Sequence, residues 1–80
     1  MIENYMSGEF SVCQFLADGS CEYVRRSISD KEAGEAAYVY CTNVPAIRGL
    51  TRRVVITDGS DCTKFEWKFG EGVVYPPERK

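Results

Sequence analysis

The sequence predicts an α+β fold of ββαββ order, in which an antiparallel four- or five-stranded sheet packs on one helix. Three observations carry this reading. Two β-rich runs, residues 10–16 and 21–26, flank Ala17-Asp18-Gly19-Ser20, and Asp-Gly between such runs signals a hairpin because Gly supplies positive φ without strain. Ser29-Asp30-Lys31-Glu32 has the form of a capping box and opens a helical pattern. A second pair of β-rich runs, residues 52–57 and 64–69, is joined by residues 58–63.

In the first hairpin, Asp18-Gly19 fits a three-residue loop with a glycine bulge better than a tight two-residue turn. The bulged register places Cys13, Phe15, Cys21 and Tyr23 on one sheet face and Phe10, Val12 and Val24 on the other, whereas the tight turn mixes Gln14 and Arg25 with apolar residues. Either register leaves Cys13 and Cys21 not directly opposed, which weighs against a ready disulfide between them. The helix should present Ala33, Ala36, Ala37, Tyr40, Cys41, Val44 and Ile47 to the sheet, since these recur at three- and four-residue steps. Pro45 lacks an N–H and crowds residue 41, so the helix either stops near Asn43 or continues kinked as far as Gly49.

Phe65, Trp67 and Phe69 alternate with Lys64, Glu66 and Lys68, which places the three aromatics in the core and the charges in solvent. Residues 70–72 turn the chain, Val73-Val74-Tyr75 adds a short edge strand, and residues 76–80 form an extended tail. Residues 1–8 and 76–80 are expected to be mobile ends of a single domain spanning 1–80.

An 80-residue chain buries only about 60–65% of its unfolded surface, so the core must be efficient. Hydrophobic residues at 44% and charged residues at 28% are ordinary globular usage and exclude the composition of disorder. The opening residues carry acids and no Lys or Arg ahead of an apolar run, so they do not form a secretory signal. No stretch reaches the roughly 18 apolar residues of a membrane span. The expected location is therefore cytoplasmic, without membrane association, and the four cysteines read as reduced thiols.

Functional chemistry is sparse. The chain has no histidine, which removes the commonest general base and metal ligand. Cys13, Cys21, Cys41 and Cys62 are separated by 8, 20 and 21 residues, unlike the close pairs of zinc sites, and read as small hydrophobes. No metal or other cofactor is expected, and no catalytic constellation is recognisable. Without histidine a cysteine nucleophile needs activation by a helix N-terminus or a nearby cation, and only Cys62, in the loop after the Arg52-Arg53 strand, has that opportunity. Asp58, Asp61 and Cys62 share a loop that could bind a cation or do acid–base work, although Asp, Gly and Ser are also what turns select.

The net charge is −2 and the pI about 5.0, which disfavours a protein devoted to coating nucleic acid. The positive charge is nonetheless clustered in Arg25-Arg26 and Arg52-Arg53. Alternate members of each pair should share a sheet face, where they could engage a partner's carboxylates or phosphates, or simply balance Glu22 and Glu66. If Phe10, Val12 and Val24 lie on the face away from the helix, an apolar patch rimmed by arginine results, and a partner protein or a second copy is the simplest cover. The leading expectation is thus a non-catalytic interaction or regulatory protein using Phe10, Val12, Arg25, Arg26, Arg52 and Arg53 against a protein partner or itself. A nucleic-acid-binding module using the arginine pairs and Tyr23 is the alternative, and a small enzyme built on the 58–62 loop the third.

Overall fold

The computed structural model describes residues 9–60 and 62–76. In chain order the elements are β1 (Phe10–Leu16), β2 (Cys21–Ile28), α1 (Asp30–Thr42), the short helix α2 (Val44–Ile47), β3 (Thr51–Thr57), β4 (Thr63–Lys68) and β5 (Gly72–Tyr75). They form one five-stranded sheet of order β2-β1-β3-β4-β5, antiparallel at every pairing. This is the expected α+β architecture, with the edge strand after the glycine turn present. Apart from Pro76, the expected mobile ends lie outside the described residues.

The first hairpin adopts the bulged loop. Leu16 N–H donates to the Ser20 carbonyl at 2.8 Å and Gly19 N–H to the Leu16 carbonyl at 3.0 Å, with Gly19 at φ 93°. Asp18 Oδ1 accepts from both Ser20 N–H and Oγ, which fixes the turn and holds the Asp18 carboxyl below its usual range. The resulting register sets Cys13 opposite Tyr23 and Phe15 opposite Cys21.

Pairing continues across the sheet, so whole rows of side chains share a face. Two rows point toward α1: Glu22, Gln14, Val54, Trp67 and Val73, then Arg25, Val12, Ile56 and Phe65. Val12, Ala33, Ala37, Val54 and Ile56 form the core there, with Phe10, Val24, Ile28, Ala36, Tyr40, Cys41, Phe65 and Trp67 packed around it. The assignment of Phe10, Val12 and Val24 to an exposed patch is therefore corrected: Val12 is fully buried and all three pack beneath the helix. The β3 pairing decides this, because it puts Val12 in the same row as Ile56 and Phe65. Thr51, fully buried, donates through Oγ1 to Gln14 Oε1 at 3.0 Å, and Gln14 Nε2 donates to Glu22 Oε2 at 3.3 Å, so the buried hydroxyl is satisfied at the core's edge.

The Ser29–Glu32 capping box closes as expected, with Glu32 N–H donating to Ser29 Oγ and Ser29 N–H to Glu32 Oε1, both at 3.1 Å. At the other end α1 stops at Thr42. Asn43 is extended at ψ 177° and its Oδ1 accepts from Ala46 N–H, capping α2. This break rotates the following residues, so Val44 and Ile47 leave the expected stripe and are 63% and 69% exposed, while Ala46 is buried in their place. Phe69 also departs from expectation. β4 ends at Lys68, Gly70 turns at φ 87°, and Phe69 lies exposed beyond the strand with the Arg52 guanidinium 4.7 Å above its ring.

Candidate binding face

α1 lies against β1, β2 and β3, on one side of the sheet only. The other side carries two rows that the same pairings define: Cys21, Phe15, Arg53, Lys68 and Gly72, and beside it Tyr23, Cys13, Val55, Glu66 and Tyr75. β2 adds a further residue. Its register shifts against β1 on both sides of Val12 and Ser27 takes φ 58°, irregularities that decide which of the consecutive Arg25 and Arg26 turns to the open side. Arg25 lines a shallow depression with Glu32 and Glu35 on the helix side, while the Arg26 guanidinium stacks 4.6 Å above the Tyr23 ring.

A second stack lies on the same face. Arg53 sits 4.6 Å above the Phe15 ring, and its Nε donates to Glu66 Oε2 at 2.8 Å. Its side chain retains 41% exposure while that of Glu66 falls to 17%, so the guanidinium is held from two directions yet remains open to a ligand. Tyr23 and Tyr75 are exposed at the two edges, whereas Cys13 and Val55 are buried at the centre. Flanked by Tyr23, Phe15, Arg53, Glu66 and Tyr75, these two lie at the floor of a surface whose rim is aromatic and charged. Burial, followed by the charge and hydrogen bonding of the Cys21 sulfur, pushes the Cys13 thiol up to about 11, an effect opposed in part by Arg53.

The four predicted arginines therefore do not form one patch. Arg26 and Arg53 share the helix-free face; Arg25 is on the helix side; Arg52, displaced by a register shift between Phe15 and Leu16, covers Phe69 and donates to the Gly49 carbonyl. Sequence reasoning did not select Phe15, Lys68 or Tyr75 for the site. Phe15 carried a signal in the predicted register; Lys68 and Tyr75 join only because the β3–β4 and β4–β5 pairings extend the rows that the long-range β1–β3 pairing begins.

The 58–62 loop has a different construction. Asp58 Oδ1 accepts from Ser60 N–H at 2.9 Å and Cys62 N–H at 3.0 Å, and Oδ2 lies 3.6 Å from Lys64 Nζ. The two backbone donors, with Lys64 adding its charge, hold the Asp58 carboxyl below its usual range. That carboxylate organises its own turn. Asp61 lies outside the described residues, and Cys62 is exposed. No group of three or more Cys, Asp or Glu side chains comes together as a metal site among the described residues, and none of their helices is long and apolar enough to cross a membrane.

Because α1 does not cover β4 and β5, a groove of about 420 Å³ opens between them, lined by Ala37, Tyr38, Cys41, Phe65, Trp67 and Val73 among others. Burial pushes the Cys41 thiol up to about 11. Comparison with protein-family models, characterised proteins and solved structures finds no match to this chain.

Proposed function

We propose that this protein is a non-catalytic binding module that presents its helix-free sheet face to an acidic surface on another protein. The single observation carrying this reading is the pair of arginine–aromatic stacks, Arg26 on Tyr23 and Arg53 on Phe15, set on one exposed face. Arginine and tyrosine dominate the energetics of protein interfaces, because each brings large contact area together with a directional polar group. Stacking and the Glu66 ion pair hold Arg53 before any partner arrives, which lowers the ordering cost of binding.

Charge selects the partner's chemistry. Arg26, Arg53 and Lys68 face one carboxylate, Glu66, across these rows, although the whole chain is −2. A two-fold dimer through this face would set the same cations against each other, which is unfavourable, so a heterologous acidic partner fits better than a second copy. Single-stranded nucleic acid fits less well, since base stacking needs open ring faces and a guanidinium already covers one face of both Tyr23 and Phe15.

The test is a titration of the ¹⁵N-labelled protein with poly-L-glutamate and, separately, with oligodeoxythymidine at low salt. The expected result is a set of amide shifts confined to Tyr23, Arg26, Arg53, Val55 and Lys68 with the acidic polypeptide. Shifts with the oligonucleotide alone would transfer the face to nucleic acid, and shifts with neither would end the binding reading.

A further inference from the structure

Two of the four cysteines meet on the same face. Since Cys13 pairs with Tyr23 and Phe15 with Cys21, Cys13 and Cys21 are diagonal neighbours on adjacent antiparallel strands, with both side chains on the helix-free side. Cys13 is buried and Cys21 exposed, and both are free thiols. By contrast Cys41 is on α1 and Cys62 in the Asp58 loop, on other parts of the molecule.

Diagonal positions have Cα atoms about 7–8 Å apart, just beyond the usual disulfide range of roughly 4.4–6.8 Å, so a bond requires a small backbone shift. The structure places that shift where it is cheap. Cys21 is the first residue of β2, an edge strand with β1 as its neighbour, and it follows directly on the exposed turn 17–20. A disulfide formed against this mild strain is easily reduced, the property of a reversible bond and not of a permanent staple.

We propose that Cys13 and Cys21 are a reversible disulfide site, closed by exchange with a low-molecular-weight disulfide such as glutathione disulfide. The exposed Cys21 thiolate attacks one sulfur of the small disulfide, whose S–S bond breaks to release one small thiol and leave a mixed disulfide on Cys21. Cys13 then gives its proton to solvent and attacks the Cys21 sulfur, expelling the second small thiol. The protein dithiol is oxidised by two electrons and one small disulfide is reduced to two thiols. The proposal is independent of what the face binds.

The test equilibrates the whole protein with glutathione buffers of increasing oxidised fraction, quenches with iodoacetamide, and maps tryptic peptides by mass spectrometry. No Lys or Arg precedes Arg25, so Cys13 and Cys21 fall in one peptide, 1–25. Expected is a form of this peptide lighter by two hydrogen atoms and resistant to alkylation, while Cys41 and Cys62 remain alkylated. Cleavage before Asp18 should leave its two fragments joined. In Cys13→Ser the Cys21 mixed disulfide should persist at least about tenfold longer than in the native chain, because its resolving thiol is gone. The proposal is overturned if the native chain accumulates the mixed disulfide on Cys21 as long-lived as in the variant, or if oxidation yields only bonds to Cys41, Cys62 or another molecule.

Discussion

Val54 and Val55 are consecutive and both buried, yet one faces α1 and the other the open side of the sheet. Val54 lies between Gln14 and Trp67 in its row and belongs to the core with Val12, Ala33 and Ala37. Val55 lies between Cys13 and Glu66, with Tyr23 and Tyr75 at the row's ends. The first face is closed by a helix whose alanines allow close approach; among the described residues, the second is closed by long side chains lying over small ones. Equal burial thus goes with unequal commitment. One face is fixed by folding, and the other keeps its rim free to rearrange around a partner.

Truncation separates the two faces most clearly. Val54→Ala should cost roughly 2 kcal/mol in urea or guanidinium unfolding, since the lost methyls leave a cavity between rigid layers, whereas Val55→Ala should cost about half as much because Phe15, Arg53 and Tyr75 can relax into the space. Equal losses would mean that the open face is packed as tightly as the core. The helix itself can be loosened at its first turn: Ser29→Ala removes the hydroxyl that accepts from Glu32 N–H and should lower stability by about 1 kcal/mol in the same assay.

A smaller effect belongs to the 58–62 turn. Asp58 has a depressed pKa in the folded state, so its stabilising contribution is present above the unfolded value of about 3.9 and is lost as pH falls through the lower folded value. Unfolding midpoints followed from pH 6 to pH 2 should therefore fall less steeply in Asp58→Asn than in the native chain. An unchanged slope would mean that Ser60 and Cys62 gain nothing from the charge.

Local chemistry made most of the fold legible. The Asp18-Gly19 bulged turn, the Ser29–Glu32 box and the Phe65/Trp67 alternation each depend on residues close in sequence, and each appears in the structure as read. What escaped was set by distant pairings. Both faces of the first hairpin carry apolar side chains, so nothing within residues 10–28 says which receives the helix; the β1–β3 register decides it, by aligning Val12 with Ile56 and Phe65. Phe10 and Val12 were misplaced for that reason. Phe69 was misread because strand alternation cannot show that β4 ends one residue earlier. Of the candidate site, Arg26 and Arg53 were legible as members of basic pairs whose alternate residues share a face, whereas their aromatic partners, and which member of each pair turns to the open side, depend on register shifts that leave no composition signal.

Binding by the helix-free face through Arg26 and Arg53 is tested most directly by repeating the poly-L-glutamate titration on Arg26→Gln/Arg53→Gln. Glutamine preserves the stems and a donor for Glu66 while removing both charges. Expected are a native-like amide spectrum, an unfolding midpoint close to that of the native chain, and loss of the shifts at Tyr23, Val55 and Lys68. Native-strength shifts in this variant, or native-chain shifts centred on the groove of Ala37 and Trp67, would contradict that mode of binding.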